Sequence, residues 1–336
     1  MKKIFLMFII GIFTLSIGQS KPLDLHTLLK SSKVNIDYKA LDTGEIVYTS
    51  REDLETTDTS IAVVMGLYIK GDYKEVLKDF KAQNNNLSLY SGAKAVEIKE
   101  LDNIKPYFNT LVLTEKEELE RISEYSDGNE FNFSENEIVL LNSMRQNGEL
   151  KAKESSKFFQ KILETRVRKY LLKGVNGIST YEHSSKDLSV KNDIKTSSLH
   201  FHALKSQFPK LYRDYLAYPN VESDLYEQKF YWLKDKIEDR VTFILKHQMI
   251  EEKNNFFIIL ERQFYISNGL DTMQTQILCM PYKKGTFIAL SSQSFTPKVS
   301  GFARAFSVRI GRHIMNENIR PLFEHLQQKY NLVKDD

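Results

Sequence analysis

The chain has 336 residues, with 47 basic and 44 acidic side chains, and carries a formal net charge of +3. A nucleic-acid-binding surface normally shows a clustered excess of lysine and arginine, so this balance argues against nucleic acid as a partner. The single cysteine, Cys279, excludes an intramolecular disulfide and a thiolate-rich metal site.

The N-terminus has the pattern of a cleavable export signal. Two lysines precede an uncharged and mostly apolar run of 14 residues, Ile4 to Ile17, and small residues lie at its end. A membrane-spanning helix needs about 20 such residues, so the pattern favours cleavage over a permanent anchor. We therefore expect a signal peptide over residues 1–18, a mature chain without a transmembrane segment, and a location in the periplasm or the medium.

The first half of the chain predicts a strand that leads directly into a helix. Ile61 to Ile69 is rich in β-branched and aromatic residues and stops at Gly71. Asp72 and Glu75 have the spacing of a capping box, which predicts a helix beginning there.

The middle of the chain, from about residue 100 to 220, has the pattern of a helical insertion. Apolar residues recur there at helical spacing, and capping and stop signals divide the segment. The signals are the capping boxes Thr114 with Glu117 and Ser134 with Glu137, a helix over about 153–173 that stops at Gly174, and a helix over about 198–217 interrupted at Pro209.

From Phe230 the hydrophobic period changes from about four to two, which predicts an antiparallel meander of strands. The strand patterns begin at Phe230, Val241, Phe256, Met273 and Thr286. A long closing helix is predicted from Val299. We expect its apolar arc of about 120° to face the sheet; that arc consists of Phe302, Ala303, Phe306, Ile310 and Ile314.

These elements predict an α+β fold, in which residues 19–336 form a single domain with the helical insertion in its middle. The order of elements resembles the START-like, helix-grip superfamily. The resemblance implies a curved antiparallel sheet that grips the long C-terminal helix and encloses an elongated apolar space.

More specifically, the chain resembles a family of uncharacterised exported bacterial proteins over about residues 41–326. The resemblance rests on aromatic and small-residue motifs, and it implies no activity. The motifs are Thr43–Val47, Ile61–Phe80, Tyr215, Tyr218–Pro219, Phe230–Trp232, Lys234–Ile237, Arg262–Ser267, Ser300–Phe302 and Arg309–Arg312. Many relatives have two cysteines near the middle loop, where this chain has Tyr125–Glu130 and no cysteine.

The local signatures of common enzyme classes are missing. The chain has no Gly-x-Ser-x-Gly, no phosphate-cradling glycine loop, no His-Glu-x-x-His and no Cys-x-x-Cys. His200 and His202 are close in sequence, but their helical pattern sets them about 200° apart. The sequence therefore predicts neither a metal site nor a cofactor.

Several polar side chains fall on predicted apolar faces, where an unpartnered polar group is costly to bury. One interpretation is that they satisfy one another as structural contacts. The other is that they line a cavity and, with aromatic walls, orient a mostly apolar ligand. The candidate ligand-binding residues are His247, Arg262, Tyr265, Trp232, Phe302, Arg309 and His313, with Phe243 and Met273 as further walls.

Three functional hypotheses follow. The first is a cell-envelope protein that holds a lipid or another apolar small molecule between the sheet and the closing helix. The second is a hydrolase or cyclase-like enzyme that uses the same cavity, with a histidine base and an arginine that stabilises an anion. The third is an interaction protein whose helical middle presents Tyr212, Tyr215 and Tyr218 to a partner.

Overall fold

The computed structural model describes residues 24–31, 34–55, 57–82, 94–125, 131–182, 189–199, 201–222, 226–253, 256–301 and 304–331. The predicted signal peptide, the middle loop at 126–130, His200 and Phe302 lie outside the described residues. Within the described ranges, no helix combines the length and apolar character needed to cross a membrane.

A curved antiparallel sheet of eight strands forms the centre of the fold. The strands are β1 (Val47–Ser50), β2 (Ser60–Ile69), β3 (Lys94–Glu97), β4 (Glu227–Ile237), β5 (Arg240–Lys253), β6 (Phe256–Ile266), β7 (Thr272–Tyr282) and β8 (Gly285–Phe295). Their order across the sheet is β1-β2-β8-β7-β6-β5-β4-β3. The predicted meander from β4 to β8 is confirmed, and the early strand β2 completes it beside β8.

Helices cover both faces of the sheet. They are α1 (Leu25–Ser31), α2 (Tyr38–Asp42), α3 (Tyr73–Ala82), α4 (Lys105–Phe108), α5 (Lys116–Ser123), α6 (Glu135–Gln146), α7 (Ala152–Lys173), α8 (Val190–Leu199), α9 (His202–Gln207), α10 (Pro209–Ala217) and α11 (Arg304–Asn331). Helices α4 to α10 occupy the predicted insertion.

Two details of the insertion differ from the prediction. Helix α5 begins after Glu115, whose side chain accepts a hydrogen bond from the Thr114 backbone amide, so the capping box expected at Thr114 is wrong. The single helix expected over about 198–217 is divided among α8, α9 and α10. Pro209 begins α10, where its missing N–H group costs no helical hydrogen bond.

Side-chain alternation gives the sheet two apolar faces. Ile259, Ile277 and Leu290 lie on the face that α3 and α11 cover, which we call the α11 face. Leu245 and Leu260 lie on the opposite face, covered by α1, α2 and the insertion, which we call the insert face. Each large aliphatic side chain buried in these layers contributes about 1.5–3 kcal/mol.

Helix α11 contacts the sheet through a different side from the one predicted. Its inward residues are Val308, Met315, Ile319, Leu322, Phe323 and Leu326. Phe306 is 68% exposed, and Ile310 and Ile314 are also exposed, so the predicted inward arc is wrong. The physical reason is Gly311, where a Cβ atom would stand 2.4 Å from Ile61 Cδ1, so the helix comes closest to β2 on its glycine side.

Candidate functional site

The seven candidate residues do not line one cavity. Arg309 and His313 are exposed on α11, and Phe302 is outside the described residues. Alternation along β4, β5 and β6 directs the other candidates away from α11. Four of the seven are therefore fully buried on the insert face: Trp232, His247, Arg262 and Tyr265.

Trp232 and Tyr265 belong to the packed core of the insertion. Trp232 Nε1 donates a hydrogen bond to the Tyr107 carbonyl oxygen at 2.8 Å. The Tyr265 ring centre lies 4.1 Å from the guanidinium carbon of Arg166, on α7. Both contacts fit the structural interpretation of these residues.

His247 and Arg262 do come together. The register of β5 and β6 pairs them directly across the sheet, with both side chains on the insert face. Arg262 Nη1 donates to the Tyr170 hydroxyl oxygen at 3.0 Å, and the same oxygen lies 3.0 Å from His247 Nδ1. Strand register and helix α7 thus assemble a buried Arg–Tyr–His chain.

These hydrogen bonds place His247 next to a buried cation. Because a guanidinium group only donates, the Tyr170 oxygen accepts from Arg262, and the same hydroxyl group is hydrogen-bonded to His247 Nδ1. His247 Nε2 is buried and has no hydrogen-bond partner among the described residues. Burial lowers the pKa of His247 well below its usual value, and the charge of Arg262 lowers it further. His247 is therefore neutral, and its ring is fully buried.

Arg262 is a buried cation surrounded by neutral groups. Its side chain is fully buried, Nη2 donates to the Tyr215 carbonyl oxygen at 3.2 Å, and its guanidinium carbon lies 4.1 Å from the centre of the Tyr215 ring. The oxygen atoms that it contacts within the described residues are a hydroxyl and a carbonyl, and none is a carboxylate. A buried charge without an opposite charge costs free energy, so this arrangement is unusual for a purely structural residue.

A pocket of about 490 Å³ lies beside Arg262, between the end of α7, helix α8 and the end of α10. That volume is in the range of small-molecule sites. Its cationic lining residues are Arg262 in the interior and the exposed Lys173 and Lys195, and no acidic side chain lines it among the described residues. Its apolar walls are Leu172, Val175, Ile194, Leu216, Tyr218 and Pro219.

Gly174 joins two of the pocket walls. The residue has φ +54°, and a Cβ atom there would stand 1.8 Å from the Tyr218 carbonyl oxygen. Any side chain would collide with this backbone oxygen, so glycine allows the end of α7 to touch the end of α10. The stop signal read at Gly174 is confirmed, and the residue has this second role.

The third wall, α8, is tied to the sheet through Gln274 of β7. The Gln274 amide nitrogen donates to the Ile194 carbonyl oxygen at 3.1 Å and to Ser198 Oγ at 3.2 Å. The Tyr215 hydroxyl donates to Gln274 Oε1 at 2.8 Å. One glutamine thus positions both α8 and the tyrosine ring on which Arg262 is stacked.

Two carboxyl groups lie close together where α8 meets the start of β7. Burial, together with the charge of Asp193, raises the pKa of Asp271 to about 8, and burial raises the pKa of Asp193 to about 6. Asp271 Oδ2 is buried and has no hydrogen-bond partner in the described part of the chain, while the Asp271 carbonyl oxygen accepts from the Tyr181 hydroxyl at 3.3 Å. Asp271 is therefore mostly protonated at neutral pH.

The sequence analysis missed or misplaced several residues that line the pocket or lie near it. Tyr212, Tyr215 and Tyr218 are buried, so their expected exposure is wrong and the interaction hypothesis loses its aromatic surface. Tyr170 is fully buried on α7, but no sequence pattern linked it to Arg262 or His247. The two pocket lysines carry no signal that distinguishes them from other surface lysines.

Within the described residues, no group of three or more His, Cys, Asp and Glu side chains is arranged to hold a metal ion. No protein-family model matches the chain, and no curated protein is significantly similar to it. The chemistry of the pocket at Arg262 is therefore the basis for a functional proposal.

Proposed function

We propose that this protein binds a small organic anion with an apolar body, in the pocket beside Arg262. The observation that carries the proposal is a fully buried guanidinium group whose hydrogen-bond partners among the described residues are all neutral, at the wall of a pocket of about 490 Å³. An anionic ligand supplies the opposite charge that the described residues do not. Charge-assisted hydrogen bonds to such a ligand are stronger than neutral ones.

The side chains that line the pocket indicate the chemistry of the rest of the ligand. Leu172, Val175, Ile194 and Leu216 offer aliphatic surface, on which a ligand gains about 25 cal/mol for each Å² of apolar area buried. Lys173 and Lys195 are exposed at the rim and attract anions from solution. The proposed ligand therefore keeps the apolar body that the sequence hypothesis expected and also carries an acidic group.

We extend this proposal to the cell envelope, because residues 1–18 have the charge and hydropathy pattern of an export signal. A curved sheet packed against a long C-terminal helix is also the basis for proposing a START-like fold. The resemblance implied a ligand between the sheet and that helix, whereas the pocket at Arg262 lies on the insert face. The START-like proposal therefore concerns architecture alone.

The test is isothermal titration calorimetry of the full chain with three eight-carbon ligands that differ only in their head groups: octanoate, octanol and octyltrimethylammonium. We expect saturable binding of octanoate, at least tenfold weaker binding of octanol and none of the cation. Equal affinities for octanoate and octanol would contradict a role for Arg262, and no binding of any of the three would overturn the proposal for this ligand class.

A matched pair of variants assigns the binding to this pocket. Arg262→Met is expected to weaken octanoate binding at least tenfold, because it removes the charge and keeps much of the side-chain volume. Arg168→Met is the control, since Arg168 is an exposed arginine on α7 that pairs with Glu164 on the same helix. Wild-type affinity in Arg262→Met would place the binding elsewhere.

A further inference from the structure

Three arginines in the described part of the chain hold an acid in the same way. Arg51 binds Asp53 through Nε and Nη2, both at 2.7 Å. Arg166 and Arg312 use the same pair of nitrogens on Glu137 and Glu55. Each of these contacts is a side-on, two-pronged hydrogen bond between a planar guanidinium edge and a planar carboxylate.

Arg262 has the same edge, but no carboxylate occupies it among the described residues. Its Nε is buried and has no hydrogen-bond acceptor. Its Nη2 reaches the Tyr215 carbonyl oxygen, in the last turn of α10, and the residues that follow Tyr215 form a pocket wall. The opposite nitrogen, Nη1, is held by Tyr170 on the side of His247. The Nε–Nη2 edge therefore includes the nitrogen that contacts α10, the helix whose end forms a pocket wall.

The orientation of this edge is fixed before any ligand arrives. Stacking on the Tyr215 ring sets the plane of the guanidinium group, and the hydrogen bond to Tyr170 sets its rotation within that plane. The Tyr170 hydroxyl is itself held by His247. A preorganised planar donor pair loses little conformational entropy on binding and favours a planar acceptor.

We propose that the acidic group of the ligand is a monocarboxylate, bound side-on to Nε–H and Nη2–H of Arg262. This inference rests on the proposed function and adds the chemical class of the head group. One guanidinium balances one negative charge. A phosphate monoester is mostly a dianion above its second pKa of about 6, and it would leave one buried negative charge unbalanced, because Lys173 and Lys195 are at the exposed rim.

The experiment compares octanoate with octyl phosphate on the full chain at pH 7.5 by calorimetry. We expect octanoate to bind at least tenfold more tightly than octyl phosphate, and octyl phosphate to bind more tightly at pH 5 than at pH 7.5 as it loses its second charge. Equal or tighter binding of octyl phosphate at pH 7.5 overturns the carboxylate assignment and leaves the proposed function intact. If neither ligand binds, the proposed function itself fails.

A charge-conserving variant tests the two-pronged geometry. Arg262→Lys keeps the positive charge but replaces a planar donor pair by a single ammonium group. We expect octanoate affinity to fall at least tenfold while octyl phosphate affinity changes less than threefold, with Arg168→Lys as the control. Wild-type octanoate affinity in Arg262→Lys overturns the side-on assignment. The comparison of ligands on the wild type decides the head-group class even if this variant does not fold.

Discussion

Arg166 and Arg262 are two buried arginines on the insert face, and each stacks 4.1 Å from the centre of a tyrosine ring. Arg166 also holds Glu137 in a two-pronged ion pair with nitrogen–oxygen distances of 2.9 and 2.5 Å. Among the described residues, Arg262 has neutral acceptors alone, the Tyr170 hydroxyl and a backbone carbonyl. Burial and stacking are thus common to both arginines. Of the two, only Arg166 has a carboxylate partner among the described residues, and Arg262, which lines a pocket, has none.

The largest expected effect is a loss of folding stability when Arg166 is deprived of its carboxylate partner and so resembles Arg262. Glu137→Gln removes the only acid that Arg166 contacts among the described residues, and breaking a buried pair in this way costs about 3–5 kcal/mol of unfolding free energy. Urea denaturation measures the loss. Glu135→Gln is the control, because it removes an exposed acid from the same turn of α6. Equal losses in the two variants would show that the ion pair does not stabilise the fold.

A smaller effect concerns Asp271, a buried acid that contacts no cation among the described residues. Its folded-state pKa of about 8 is above the unfolded value near 3.9, so the folded state holds the extra proton and stability falls as pH rises through this range. The loss between pH 6 and pH 8 is expected to be about 2 kcal/mol, from a slope of about 1.4 kcal/mol per pH unit. Urea unfolding at several pH values measures it.

Asp271→Asn keeps the shape of the protonated acid and is expected to remove most of this loss, so the variant is more stable than the wild type at pH 8. Asp239→Asn, at an exposed turn, is the control and should retain the wild-type slope. An unchanged slope in Asp271→Asn would mean that another group causes the pH dependence.

The smallest expected effect is on the stability of Arg262→Met. Replacing a buried charge that lacks a carboxylate by an apolar side chain removes a desolvation cost as well as two hydrogen bonds, so the change in unfolding free energy is expected to stay within about 1 kcal/mol. Arg166→Met should cost more, because it leaves Glu137 nearly buried and unpaired. A loss of 3 kcal/mol or more in Arg262→Met would identify Arg262 as a structural residue.

The sequence predicted the sheet well, because strand alternation is a local pattern. The run beginning at Val241 puts apolar residues at most second positions, the run beginning at Phe256 opens with five apolar residues, and both runs form strands. The inward face of α11 was predicted wrongly, because the largest apolar residues are not the ones that pack. Close approach to β2 depends on Gly311, and a hydropathy pattern gives glycine no weight.

The site was predictable only in part, for a related reason. His247 and Arg262 stood out because each interrupts an apolar strand face, and the structure brings them together. Tyr170, Tyr215 and the two pocket lysines come from separate helices that meet only in the folded chain. No pattern within one element records such a meeting, so the Arg–Tyr–His chain and its pocket emerged from the structure alone.

The bare α-carbon at position 174 has a consequence for the width of the pocket mouth. Lys173 and Val175, on either side of it, line the same space as Ala217 and Tyr218, so the distance between these two chain segments sets the clearance for an entering molecule. Even one methyl group at this position would collide with the carbonyl oxygen of Tyr218 and push the two segments apart. Any substitution there would therefore change the clearance only by moving one of the two segments, together with the Tyr218 ring that stacks on Tyr170.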